Sequence, residues 1–413
     1  MNATRLSAID AFFVAYQEES GVLMQLGVEV ELKGRVTRED LDQMLLYVVH
    51  RWPPLGQGLQ KHFSGLSWEG ECRVNEMVRT GGTVAEWRNR PLDPFEEPPF
   101  QVLWIPDGAR HLLAFRAHHA VVDGEGFFAV CAEAVRALAE KSTQIAQIHT
   151  KQIRERSLNL GDAIQTVQRM RREALENKSA SFAMRSCVPG DVSIVDRDLD
   201  RSELGATPGW LCAGAWMKAI HAWNLSRGAD PSPLISLEVP VSLRRARDKH
   251  VRIANLISPL TLYGDATQPL DKLAKELKQQ MSKAMRQRTH LALPSLASPA
   301  KFLPYSVFRK LSANPELTGS ATSHFAWFEQ SQSIHEDVAR LSAGALQIVN
   351  QQIYTPVCLH MGAAMAILTW PERTQVFLTH RLSAFSTADA ETLLDLMVPE
   401  LDQRRVARRQ VAV

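Results

Sequence analysis

The sequence predicts an α/β (α+β) protein built as two sandwich-like lobes, and three observations predict it. At 413 residues the chain is long for one hydrophobic core and suits two domains of ordinary size. Strand-then-helix units recur in both halves. Between them, residues 151–178 form a polar, charged stretch that reads as a connecting helix, which sets an N-terminal lobe over 1–178 and a C-terminal lobe over 179–413.

In the first lobe, Met24, Leu26, Val28, Val30 and Leu32 alternate with Gln25, Gly27, Glu29, Glu31 and Lys33, the period of a half-buried strand. Thr37 caps a helix whose apolar positions Leu41, Met44, Leu45, Val48 and Val49 keep helical spacing until Pro53 stops it. A buried strand follows over 112–117, and an apolar helix opens at Phe127, carrying Phe128, Cys131, Val135 and Leu138 on one face. Within the connecting stretch, Arg169-Met170-Arg171-Arg172 reads as solvated. In the second lobe strands are expected over 192–196, 234–243 and 257–263. An amphipathic helix then buries Leu270, Leu273, Leu277, Met281 and Met285. Further strands over 324–329, 346–354, 359–368 and 376–382 precede a final helix over 387–401, with Asp389 and Glu391 in its first turn.

The most informative segment joins the strand at 112–117 to the helix at 127. It runs Ala117-His118-His119-Ala120-Val121-Val122-Asp123-Gly124. Successive side chains of a strand point to opposite faces, so His118 and His119 cannot both enter one site. One is expected to be chemical and the other architectural. The same facing argument weakens a metal site made from the two histidines and Asp123. A serine hydrolase is disfavoured, because the chain has no Gly-x-Ser-x-Gly elbow.

The pattern His-His-x-x-x-Asp-Gly resembles the active-site signature of the chloramphenicol acetyltransferase-like superfamily of acyltransferases and condensation domains. Companion segments extend the resemblance in order. Leu6-Ser7-Ala8-Ile9-Asp10-Ala11-Phe12-Phe13 looks like the opening of the bacterial wax ester synthase and polyketide-associated branches. His50-Arg51-Trp52-Pro53-Pro54-Leu55 is similar to a helix end of these families, Val239-Pro240-Val241-Ser242-Leu243-Arg244 to their Pro-Val-x-Leu-Arg element, and Ala254-Asn255 stands where Gly-Asn is usual. The resemblance implies two chloramphenicol acetyltransferase-like lobes meeting in a V, with a tunnel at the seam and second-lobe segments crossing over the first.

It also implies roles. His119 is the general base that deprotonates an alcohol or amine acceptor attacking a thioester, with no acyl-enzyme, and His118 is a packed, hydrogen-bonded partner. Asp123 holds the loop by pairing with an arginine of the other lobe; Arg244 matches best, with Arg245 and Arg247 as alternatives. Gly124 permits the tight turn and close approach of substrate. Asn255 lines the channel or satisfies backbone groups. Ser323, in Thr322-Ser323-His324-Phe325-Ala326-Trp327, stands where relatives often show Ser-Asn-x-Gly; Trp327, Trp210, Trp216 and Trp223 wall the channel or, by default, are core residues. The chain lacks Asp-Phe-Gly-Trp-Gly, which separates it from the plant branch.

Composition sets the boundaries. An apolar share of 45% and a charged share of 22% describe a soluble globular protein, and a net charge of +2 argues against a nucleic-acid partner. The basic run 404–409 reads as a solvated tail. Five scattered cysteines without Cys-x-x-Cys spacing suit a reducing cytoplasm. Asp10 interrupts the early apolar run and no later run approaches a membrane span, so neither secretion nor spanning is expected. The expected function is acyl transfer from acyl-CoA or a carrier-protein phosphopantetheine, as substrate rather than resident cofactor, to a small-molecule alcohol or amine in lipid or secondary metabolism. Rival readings are a degenerate member that only binds a carrier protein or ligand, and a cyclisation or dehydration that uses the same histidine.

Overall fold

The computed structural model describes residues 3–63, 65–140, 157–200, 204, 208–244, 253–299, 303–312, 321–329, 346–370 and 373–411, with 311, 312, 329 and 402–411 described by backbone alone. The first block runs β1 (Thr4–Arg5), α1 (Ala8–Ser20), β2 (Gln25–Lys33), α2 (Arg38–Arg51), β3 (Gly58–His62), β4 (Gly65–Glu69), β5 (Val78–Thr80), α3 (Val84–Asn89), β6 (Phe100–Asp107), β7 (Arg110–His118) and α4 (Gly124–Glu140). After α5 (Leu160–Glu176), the second block holds β8 (Val192–Asp200), α6 (Pro208–Ser226), β9 (Leu234–Ser242), β10 (Ile257–Asp265), α7 (Leu270–Arg286), α8 (Ala292–Ala297) and α9 (Tyr305–Ser312). It continues with β11 (Ser323–Glu329), β12 (Gln347–Tyr354), β13 (Ala363–Thr369), β14 (Arg373–Arg381) and α10 (Thr387–Val411).

Two large sheets organise the molecule. The first lobe's sheet has the order β12-β2-β7-β6-β5, and the second lobe's is β10-β9-β11-β13-β14-β8. A small sheet, β1-β4-β3, flanks the first. Strand β12 belongs to the second block by sequence but pairs antiparallel with β2, with Tyr354 opposite Gly27. A side chain at Gly27 would collide with the Tyr354 ring, its Cβ falling 1.8 Å from a ring carbon. The glycine therefore admits the crossing strand.

Strand β7 lies at the centre of its sheet, with Gln25 of β2 opposite His118 and Phe100 of β6 opposite Ala117. Its Leu113, Phe115 and Ala117 join the core with Leu41, Leu45 and Val48 of α2 and Val130 and Ala134 of α4. The half-buried reading of β2 is corrected, because its polar face is covered as well. Glu29 is buried and accepts hydrogen bonds from Arg88 of α3 at 3.2 and 2.7 Å, so pairing with a cation brings a carboxylate inside.

The second core gathers Trp216, Met217 and Ile220 of α6, Leu273 and Leu277 of α7, and Leu393 and Leu394 of α10 on one face of the six-stranded sheet. Met281 packs at its edge, whereas Met285 is 39% exposed in the last turn of α7, which corrects its expected burial. The strand expected over 359–368 begins only at Ala363, after a turn. The alternative partners Arg245 and Arg247, and the side chains of the basic tail, lie outside the described residues. Among the described residues no helix is long and apolar enough to cross a membrane.

Candidate active site at the seam

The end of β7 separates the two histidines as strand alternation requires. His118 is the last residue of the strand and is fully buried. Its Nδ1 accepts from the Ala120 backbone N–H at 3.1 Å, which places the ring proton on Nε2. Burial pushes this imidazole down to about 3, with a smaller contribution from His119, so the ring is neutral and braces the turn.

His119 lies just beyond the strand, its backbone N–H donating to the carbonyl of Met24 at 2.7 Å. Its ring stacks on Phe13 of α1, with centroids 3.8 Å apart and planes 14° from parallel. Its Nδ1 lies 2.9 Å from Oδ1 of Asn255. The Asn255 amide nitrogen donates to the His119 carbonyl and, at 2.8 Å, to Oδ1 of Asp10. With both amide protons committed, Asn255 can offer His119 only its oxygen. Nδ1 of His119 must therefore carry the proton, and Nε2 keeps its lone pair. Burial holds the His119 value below the usual histidine range, against the raising effects of its own backbone, Asp123 and Asn255. At neutral pH the ring is an unprotonated base.

Asp123 and its partner come from opposite lobes. Arg244 Nη1 donates to Asp123 Oδ2 at 2.6 Å and Arg244 Nη2 donates to the Ala254 carbonyl at 3.0 Å; both paired side chains are fully buried. Asp123 also accepts the backbone N–H groups of Gly126 at 2.9 Å and Leu256 at 2.8 Å. Gly124 opens α4, and a Cβ there would stand 2.9 Å from the Phe328 ring of β11. Gly126, not singled out in the sequence, is as constrained: its Cβ would meet Val122 at 2.7 Å and Arg244 Nη2 at 2.9 Å.

Ser323 and Trp327, expected to bind substrate, are placed on the second lobe's core side of β11. Along β11, Phe325 and Trp327 pack in the second lobe's core, while Ala326 and Phe328 pack toward the first lobe. Ser323 shares the parity of Trp327. Its hydroxyl donates to the Ala363 carbonyl at 3.1 Å and accepts from Trp216 Nε1 at 3.2 Å. Trp327 Nε1 donates to Thr369 at 3.0 Å, and a Cβ on Gly209 of α6 would lie 2.2 Å from its ring. Trp210, Trp216 and Trp223 belong to the same core.

The residue of β11 with the right parity is His324. Its Nδ1 lies 3.6 Å from Glu238 of β9, directly across the strand pair. Asp10 is the second residue missed. Its Ser-x-x-Asp spacing reads as a helix cap, which it is, and so conceals the contact with Asn255. Among the described residues no three His, Cys, Asp or Glu side chains gather to hold a metal ion.

No protein-family model matches the chain, and no curated protein matches it in sequence. Solved structures do match it in shape. The trichothecene 15-O-acetyltransferase TRI3 from Fusarium sporotrichioides superposes with a TM-score of 0.72 at 11% identity, over 97% of this chain and 94% of that one. A variant starter condensation domain of rhizomide synthetase RzmA, in complex with C8-CoA, gives 0.68 at 14% identity over 98% and 95%. The condensation domain of the monacolin K polyketide synthase MokA gives 0.65 at 13% identity over 98% and 97%. Over nearly its whole length, the chain therefore shares the two-lobed fold of these acetyltransferase and condensation-domain structures.

Proposed function

We propose that this protein is an acyltransferase that moves an acyl group from a thioester to an alcohol or amine, with His119 as general base. The observation that carries this reading is the protonation pattern of one ring. Nδ1 is locked as a donor by Asn255, so a nitrogen lone pair stands ready at the seam between the lobes. The acceptor gives its proton to Nε2 as its oxygen or nitrogen attacks the thioester carbonyl. The tetrahedral intermediate collapses with cleavage of the C–S bond, and the departing thiolate recovers that proton from the imidazolium. No acyl-enzyme forms, and the product is an ester or amide. Asp123, with Arg244, keeps the loop in shape rather than touching substrate, and Asn255 fixes the tautomer.

The donor in this proposal is acyl-CoA or an acyl group on a carrier-protein phosphopantetheine. In its support, rhizomide synthetase starter condensation domains of the same fold are bound to C8-CoA, in one case with Leu-SNAC, and another protein of this fold is an O-acetyltransferase. A reducing cytoplasm and a place in lipid or secondary metabolism complete the reading; all five cysteines are free thiols.

The test pairs wild type with His119→Ala on C8-CoA and the matched C8 carrier-linked donor, across alcohol and amine acceptors, following thiol release. Loss of the base should lower turnover by about 10²–10⁴-fold. Equal rates for the two proteins on every donor would remove the catalytic assignment and favour the binding-only role.

A further inference from the structure

Asp10 has more work than a helix cap requires. At the third position of α1, its Oδ2 accepts the Ser7 backbone N–H at 2.9 Å while Ser7 Oγ accepts the Asp10 N–H at 3.2 Å, which completes the cap. The other oxygen turns inward and accepts from Asn255 at 2.8 Å. Among the described residues no cation lies within salt-bridge distance of this carboxylate. By contrast, the nearby Asp123 is neutralised by Arg244. The same helix supplies Phe13, three residues further on and so on the same side, stacked on the His119 ring.

We propose that Asp10 is a positioning residue for His119, acting through Asn255 as a carboxylate–amide–imidazole relay. Phe13 sets the plane of the ring, and the relay sets its rotation within that plane. When Nε2 takes the acceptor's proton, the imidazolium forms at the end of a chain of polarised hydrogen bonds whose far end is anionic. Among the described residues, the other charged or titratable groups around the ring are Asp123 with Arg244 and its neighbour Glu125, the neutral His118, and His324 with Glu238. Of these, Asp10 is the one carboxylate connected to the ring by an unbroken path of hydrogen bonds. Burial pushes its carboxyl up to about 6, so it is ionised at pH 7 and begins to take up a proton just below. This role deepens the general-base reading and rests on it.

Two independent readouts test the proposal. In ¹⁵N-labelled protein, the His119 imidazole is assigned by its loss in His119→Ala and titrated in wild type, Asp10→Asn, Asp10→Glu and Ser7→Ala. Removing the negative charge in Asp10→Asn should lower the His119 midpoint by about one pH unit. The acid limb of kcat/KM should move down with it, and kcat should fall by about tenfold or more at unchanged KM. Asp10→Glu should restore part of both. Ser7→Ala, which weakens the cap alone, should leave the midpoint in place. An unmoved midpoint in folded Asp10→Asn overturns the relay even if turnover falls. If Asp10→Asn does not fold, an unmoved midpoint in Asn255→Ala overturns it equally. Should wild type transfer no acyl group from any donor, the acyltransferase reading fails, while the titration still decides the relay.

Discussion

Asp123 and His119 stand four residues apart on one loop, and the second lobe treats them in opposite ways. It meets His119 with a neutral amide that leaves a lone pair free, and meets Asp123 with a guanidinium and a backbone N–H that leave little of the carboxylate unused. Two of the partners that Asp123 holds, Arg244 and Leu256, reach it from across the seam. Removing the carboxylate takes from the buried Arg244 its nearest anionic partner, with Glu125 the next at 3.9 Å, a change that costs up to about 3–5 kcal/mol. Asp123→Ala should therefore lose thermal stability and turnover together, as read by a melting curve and a rate on one preparation. An unchanged melting temperature with lost turnover would make Asp123 a chemical participant instead. Arg244→Lys should fall between the two, because an ammonium cannot span both Asp123 and the Ala254 carbonyl as the planar fork does.

At the scale of elements, period two on β11 decides which side chains meet the site. Ser323, Phe325 and Trp327 belong to the helix-covered core, and His324, Ala326 and Phe328 to the side of the first lobe. Ser323→Ala should leave turnover near wild type while costing about 1–3 kcal/mol in urea unfolding, since Trp216 Nε1 loses its acceptor. His324→Ala should show the reverse, a kcat/KM lowered about tenfold or more at near-native stability. If Ser323→Ala abolishes turnover in a stable protein, the parity assignment is wrong. The same element shows what the sequence could disclose. Alternation on β7 separated His118 from His119 because both lie at a strand end, where one residue decides the face. On β11 alternation distinguishes two faces but does not say which one looks across the seam; that depends on α6 packing behind it. The motif loop, the crossing strand and the Asp123–Arg244 pair were legible through a contiguous pattern and its ordered companions. Asp10 was not, because its bond to Asn255 spans 245 residues and its local spacing already has a complete explanation as a cap.

For the whole molecule, the way the lobes are built puts several histidines where a proton is unwelcome. Burial lowers the values of His118, His119, His360 and His380, taking His118 to about 3. They are spread from the end of β7 through the seam to β14, so both sheets depend on neutral rings. In the unfolded chain each would titrate near ~6.5. Below that pH the unfolded state binds protons that the fold excludes, so the stability present above ~6.5 is lost as pH falls toward the folded values, by up to about 1.4 kcal/mol per pH unit for each ring. Asp10 acts in the opposite sense. Its carboxyl, raised from 3.8 to about 6, binds a proton more readily in the fold and adds stability as pH falls through that lower window. Glu29 and Asp196 are raised likewise by burial. The histidines therefore dominate the upper window, between neutrality and pH ~6, where four rings oppose protonation and Asp10, half-protonated only at about pH 6, offsets part of one. Urea unfolding across that range should show a steady loss of stability on acidification within one cooperative transition, and His118→Gln should flatten the slope by about one proton. Stability that is level or rising from pH 8 to 6 would mean that these rings are already charged in the fold, and would take from His119 the neutral state on which a base depends.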